Sequence, residues 1–227
     1  MNALAWTTTP WTLPSNMFLA VGKHIHYLIV FDKNAKEYYV IAENLMKQYY
    51  KDDTEYILIN IIQGETLVGR KYEPLFQHIN KSKIANTYKE QYFKIIAGEF
   101  VSTEDGTGIV HIAPAFGVED YNAVAQFLPR DDSKNRLFLP VNDYGEFTDE
   151  VPEWKGTRVY DANKDIIQRL KEEGKLIGQR SYEHSYPHCR RCDTPLISKA
   201  LTSRFIKEPS LTPITVPHAE EIGFVPE

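Results

Sequence analysis

Short runs of β-branched and aromatic residues, broken repeatedly by glycine, constrain this chain more than any other feature. Across residues 20–31, Val21, Ile25, Tyr27, Ile29 and Phe31 fall mostly at alternate positions, the period of a strand with one buried face. Segments 37–42, 56–62, 92–101 and 109–113 are also rich in β-branched and aromatic residues, which suit a pleated surface. Gly64, Gly69, Gly98, Gly106 and Gly108 punctuate them, and Asp105-Gly106 between two runs is a hairpin signal. Many short strands with few helices predict a mainly β chain with flanking helices (α+β) around a closed or nearly closed β-barrel core.

Three segments carry helical signals. Residues 43–51 form a short one. In 118–128, Val118, Tyr121, Val124, Ala125 and Leu128 recur at helical spacing, with Glu119 and Asp120 in the first turn, where the macrodipole favours acids. In 161–173, Ile166, Ile167 and Leu170 share a face and Gly174 stops the helix. Beyond Ser181 prolines become frequent and periodicity fades. The expected division is therefore a barrel domain over 1–180 and a connecting segment over 181–227.

Composition narrows the function classes. With 42% hydrophobic and 25% charged residues in 227, the chain is expected to build a packed core. No apolar run approaches the roughly 18–20 residues of a membrane span, and no signal-peptide pattern opens the sequence. Two cysteines make no disulfide framework, which fits a reducing, cytoplasmic setting. A net charge of −5 argues against broad duplex binding but not against grasping one single-stranded end. Arg180, Arg190, Arg191, Lys199, Arg204 and Lys207 outnumber Glu183 and Asp193 in one stretch. That stretch is either a solvated face or a phosphate-contacting patch.

Two constellations could carry chemistry. The first runs from Trp6 through Thr7, Thr8, Thr9 and Pro10 to Thr12 and Asn16. As plain structure it is an edge strand ended by Pro10; as a site, its clustered hydroxyls could hold a water, a carbonyl oxygen or a ribose hydroxyl. The second runs from Gly106 through His111, Pro114, Phe116 and Gly117 to Asp120 and Tyr121. It reads as a turn, a buried strand and a loop opening a helix. His111 and Asp120 are either a core histidine and a helix-start acid, or two polar groups brought together at a strand-to-helix loop. Cys189-Arg190-Arg191-Cys192, with His184 and His188 upstream, is at most half of a zinc site, since structural zinc needs about four ligands. Two reduced thiols is the alternative.

The two constellations, about a hundred residues apart, together resemble the editing (connective peptide 1) domain of isoleucyl-tRNA synthetase. The stretches 64–69, 72–76, 184–192 and 224–227 resemble it as well, so the likeness spans essentially the whole chain. Leucyl and valyl relatives typically carry Thr-Thr-Arg-Pro where this chain has Thr7-Thr8-Thr9-Pro10, which favours the isoleucyl branch. Neither signature of the ATP-using synthetase core is found, so the chain resembles an excised insertion domain and is not expected to activate amino acids.

The resemblance implies a hydrolase that removes valine from mischarged tRNA(Ile), and acts on valyl-adenylate. Its partners would be the tRNA 3′ end and the synthetase catalytic core, with no membrane, no cofactor and a monomeric state. Asp120 would anchor the substrate α-ammonium, Thr8 and Thr9 would position water and the carbonyl, and His111 would line the pocket, contact the ribose or act as a base. Thr7 and Thr12 would join the substrate-binding wall, with Trp6 and Asn16 as outer contacts. Phe116 stands where the family often has histidine, which leaves that position a pocket-wall role. A non-catalytic module binding the tRNA acceptor end, and a zinc-stabilised structural module, are the alternatives.

Overall fold

The computed structural model describes residues 1–82, 90–125, 127, 137–180, 186–201 and 216. His184, Arg204, Lys207 and the closing stretch 224–227 lie outside them, as does the expected helix end at Leu128.

Two mixed sheets form the frame. The first is four-stranded in the order β1 (Asn2–Ala3), β4 (Glu37–Ala42), β3 (His26–Asp32), β5 (Tyr56–Gln63). The second is three-stranded, with β2 (Phe18–Val21) between β6 (Lys94–Ala97) and β7 (Ile109–Ile112). The closed or nearly closed barrel expected from strand number is therefore not formed: the sheets are open, and isolated bridges and turns rather than a continuous ladder join them among the described residues. The physical reason lies in the run 20–31. Its alternation continues through a tight turn, in which the Ile25 N–H bonds the Gly22 carbonyl at 3.1 Å, so one apparent strand is two strands in different sheets. The Asp105-Gly106 hairpin is corrected as well. β6 runs parallel and β7 antiparallel to β2, and both pair with it rather than with each other.

β2 is buried along its whole length, and its alternation sorts side chains into two cores. Phe18 and Ala20 join Met17, Trp11, Tyr92, Ile112, Phe116 and Trp154 on one face. Leu19 and Val21 join Tyr27, Val40, Leu67, Ile95 and Ile109 on the other. A strand hydrophobic on both faces needs cover on both, and the four-stranded sheet supplies one of those covers.

The helices are shorter than their periodicity suggests. Residues 43–51 form a 3-10 helix only over Glu43–Gln48. Among the described residues the α-helices are α1 (His78–Lys81), α2 (Val118–Ala125) and α3 (Asn163–Glu172). Ile166 and Leu170, one turn apart on α3, are buried in the larger core. No described helix is long and apolar enough to cross a membrane.

Candidate active site

The site is built where the first constellation crosses the second. Trp6 pairs beside Val110 on β7, its N–H bonding the Ile109 carbonyl at 3.2 Å. Its indole packs against Gly106, where any Cβ would lie 2.9 Å from the ring. The chain does not continue as the edge strand that consecutive threonines suggest. Pro10 opens a 3-10 helix, Pro10–Ser15, because its ring presets φ and a helix's first N–H has no partner to lose. The Thr12 N–H and hydroxyl both bond the Thr9 carbonyl, at 3.0 and 2.8 Å. The Trp11 N–H bonds the Asn163 side chain at 2.9 Å, tying this helix to the start of α3.

This crossing joins most of the threonine segment to His111 through a continuous row of hydrogen bonds. Thr7 and Thr9 hydroxyls lie 3.4 Å apart, and those of Thr9 and Thr12 lie 3.3 Å apart. Thr12 Oγ1 is 3.1 Å from His111 Nε2, and Asn16 Nδ2 is 2.7 Å from His111 Nδ1. Thr8 stands apart: it is exposed and has no hydrogen-bond partner among the described residues. Tyr72, whose hydroxyl donates to Asn16 Oδ1, carries no sequence signal for this place beyond lying in the stretch 72–76. Asn163 lies inside the segment 161–173 expected to be helical and carries no sequence signal for this place.

His111 is buried, and burial pushes its pKa down from an ordinary 6.5 to about 4. It is neutral at physiological pH, with both ring nitrogens engaged. A histidine depressed in this way stabilises the fold above pH 6.5 and loses that contribution as pH falls through 4, because the unfolded chain takes up the proton first. We expect an acid loss of about 3 kcal/mol from this group. Urea unfolding of wild type and His111→Gln at pH 7 and pH 4 checks it, and equal pH slopes in the two proteins would refute it.

Asp120 follows the same strand by a different route. Residues 113–117 turn, α2 begins, and Asp120 in its first turn reaches back so that Oδ2 accepts the Ala113 N–H at 2.7 Å. Gly117 lets it do so, since a Cβ there would sit 3.0 Å from the carboxyl carbon. Burial raises the Asp120 pKa above its ordinary range, opposed by the Ala113 N–H. Oδ1 has no hydrogen-bond partner among the described residues. Phe116, in the turn, is buried with its ring centroid 4.8 Å from that of Trp11, edge to face. Thus Asp120 and the hydroxyl row both adjoin the end of β7, linked by the backbone 111–113 and by the Trp11–Phe116 contact. No hydrogen bond joins them among the described residues.

Three other features lie outside this arrangement. A cavity of about 150 Å³ runs beside β6, lined by Phe18, Val68, Lys94, Ile95 and Phe127 among others; it contains none of the residues above and is mostly apolar. Cys189 and Cys192 are free thiols on a turn closed by the Cys189 N–H to the Thr194 carbonyl at 2.9 Å. Hydrogen bonding with Thr194 holds the Cys192 thiol below its usual range. No group of three or more metal-ligating side chains converges among the described residues. In the basic stretch, Lys199 is committed to Asn142 and Asp143, and Arg180 to the Gln48 carbonyl and the Tyr49 ring. Arg190 and Arg191 stay exposed.

No family model matches the chain. Individual relatives do. It is 42% identical over 226 residues to isoleucine–tRNA ligase of Bdellovibrio bacteriovorus, covering 99% of this chain and 20% of that protein. It is 39% identical over 229 residues to the cytoplasmic isoleucine–tRNA ligase of Schizosaccharomyces pombe, covering all of this chain and 21% of the relative. The fold is shared with the crystal structure of GlLeuRS-CP1 (TM-score 0.57, 15% identity, 80% of this chain and 84% of that one). It is also shared with the Plasmodium knowlesi cytosolic leucyl-tRNA synthetase editing domain (TM-score 0.52, 13% identity, 76% and 82%). The chain is homologous over essentially its whole length to isoleucyl-tRNA synthetases, of which it spans about a fifth, and it shares the fold of leucyl-tRNA synthetase connective peptide 1 editing domains.

Proposed function

We propose that this chain is a cytoplasmic proofreading hydrolase that removes valine from tRNA(Ile), and acts on valyl-adenylate, beside a synthetase catalytic core. The need for it is thermodynamic. Isoleucine against valine is the reference case: one methylene is worth only about 1–3 kcal/mol, too little for one binding step to give the required fidelity. A second site that hydrolyses the smaller product supplies the rest.

The observation carrying this reading is a carboxylate with one oxygen unpartnered among the described residues, near a row of neutral hydroxyls at the end of one strand. Asp120 Oδ1 would accept the α-ammonium of the aminoacyl group in a charge-assisted bond. That bond sets the ester carbonyl relative to Thr8 and Thr9, whose hydroxyls hold the attacking water. Water adds to the carbonyl carbon, the bond to the ribose oxygen breaks, and valine leaves with the ribose hydroxyl restored. Because the ester is already reactive, positioning supplies most of the acceleration. His111, neutral and engaged at both nitrogens, orients the hydroxyl row rather than taking the water's proton. Phe116 and Trp11 wall the side.

The test is hydrolysis of valyl-tRNA(Ile) and isoleucyl-tRNA(Ile) by the protein, with free amino acid measured against time. Valine is expected to be released faster than isoleucine by about 10- to 200-fold, the range one methylene provides. A protein that retains tRNA but releases neither amino acid is an acceptor-end binding module and refutes the proposal.

A further inference from the structure

We infer that Tyr72 is a positioning residue which, through Asn16, holds His111 as its Nε2–H tautomer and so keeps the Thr12 hydroxyl clamped on the Thr9 carbonyl. The Phe18 backbone carbonyl only accepts, and it lies 2.9 Å from Asn16 Nδ2. The amide nitrogen therefore sits on that side, and the Tyr72 hydroxyl, donating to Asn16 Oδ1, satisfies the oxygen on the other side and so favours the same orientation. The second Nδ2 hydrogen then points at His111 Nδ1, 2.7 Å away, so Nδ1 must accept and Nε2 must carry the proton.

The consequence runs outward. His111 Nε2–H donates to Thr12 Oγ1. The Thr12 hydroxyl donates to the Thr9 carbonyl, so the Thr9 hydroxyl can only donate to Thr12 Oγ1, and Thr7 in turn donates to Thr9 Oγ1. The Thr7 and Thr9 protons point toward His111 and the Thr12 proton to the Thr9 carbonyl, while the Thr7 oxygen, which accepts the Thr9 N–H at 3.1 Å, keeps one lone pair as an acceptor. An acceptor there takes a hydrogen of a bound water and leaves the water's lone pair free for a carbonyl carbon. The opposite tautomer would draw the Thr12 proton to Nε2 and leave the Thr9 carbonyl held by the Thr12 N–H alone, while the Thr9 and Thr7 hydroxyls would still donate inward. Burial keeps the Tyr72 hydroxyl protonated well above its ordinary range, so it remains a donor at any pH the protein meets.

The tautomer assignment stands on geometry alone, whereas its catalytic consequence rests on the hydrolytic reading above. Both are tested with histidine ¹⁵N-labelled protein, observing His111 Nδ1 and Nε2 by NMR beside valyl-tRNA(Ile) hydrolysis. Wild type is expected to show a single Nε2–H tautomer. Tyr72→Phe, nearly isosteric, is expected to show a mixture and a kcat lowered about tenfold, with KM little changed. Asn16→Asp, which presents an acceptor to Nδ1, is expected to reverse the tautomer. An Nδ1–H signal in wild type overturns the inference, as does a Tyr72→Phe protein whose kcat falls with the tautomer unmoved. A wild type that shows Nε2–H but releases no valine overturns the hydrolase reading and leaves the lock standing.

Discussion

Asp120→Asn is expected to lower kcat/KM for valyl-tRNA(Ile) by about a hundredfold or more, the usual consequence of removing one partner of a buried, hydrogen-bonded charge pair. The choice of asparagine matters. Its side-chain oxygen can still accept the Ala113 N–H that Asp120 now holds at 2.7 Å, so α2 should start as before. Alanine at 120 removes charge and acceptor together, leaving the Ala113 N–H unpaired at about 1–3 kcal/mol.

The stability effect of the asparagine variant is predicted with opposite sign. Burial raises the Asp120 pKa. A group raised in the folded state stabilises the fold below its unfolded pKa and loses that contribution as pH rises through the folded one. At neutral pH the ionised carboxylate therefore weakens the fold, and Asp120→Asn should melt at or slightly above the wild-type temperature. A partly buried charge retained at such a cost is what a binding group would require. Wild-type deacylation in the asparagine variant, measured beside its melting curve, would remove the amine anchor from the mechanism.

The second large effect falls on the frame. Gly108 has φ +73°, and a Cβ there would lie 2.4 Å from the Ala42 Cβ. Its carbonyl accepts the Tyr27 hydroxyl at 2.6 Å, and the same hydroxyl accepts the Gly22 N–H at 3.1 Å. This junction holds β7 against the four-stranded sheet, three residues before His111. Gly108→Ala combines an unfavourable backbone conformation with a steric clash, for an expected loss of about 3–5 kcal/mol. Gly69 is the control, with φ +83° and nothing within 4 Å of an added Cβ. Gly69→Ala carries only the backbone part, about 1 kcal/mol. Denaturant midpoints for both variants measure the difference, and equal losses would show that the Ala42 contact is readily relieved.

Much of the local structure was legible because it is a local property. The strand expected at 37–42 forms as Glu37–Ala42, and those at 56–62 and 109–113 form within a residue of their expected ends. Alternation and β-branched content act on neighbouring residues, and the sequence lists neighbours. The break at Gly22–Ile25 was not legible, since a tight turn can keep the period of two while sending the next strand elsewhere. The threonine and histidine motifs were found by their residues, but their hydrogen-bonded row depends on Pro10 turning the chain and on Asn16 facing His111.

By itself, then, the amino-acid order determined which segments extend, where helices begin, which residues carry hydroxyls and charge, and the family in which that combination occurs. Tertiary structure decided that the sheets stay open, that Tyr72 bonds Asn16 and Asn163 bonds Trp11, and that His111 is neutral with both nitrogens engaged. The division is physical. Strand and helix tendencies arise from interactions a few residues apart, whereas sheet partnership, burial and proton position depend on groups up to about 150 residues away in sequence, brought together only when the chain packs.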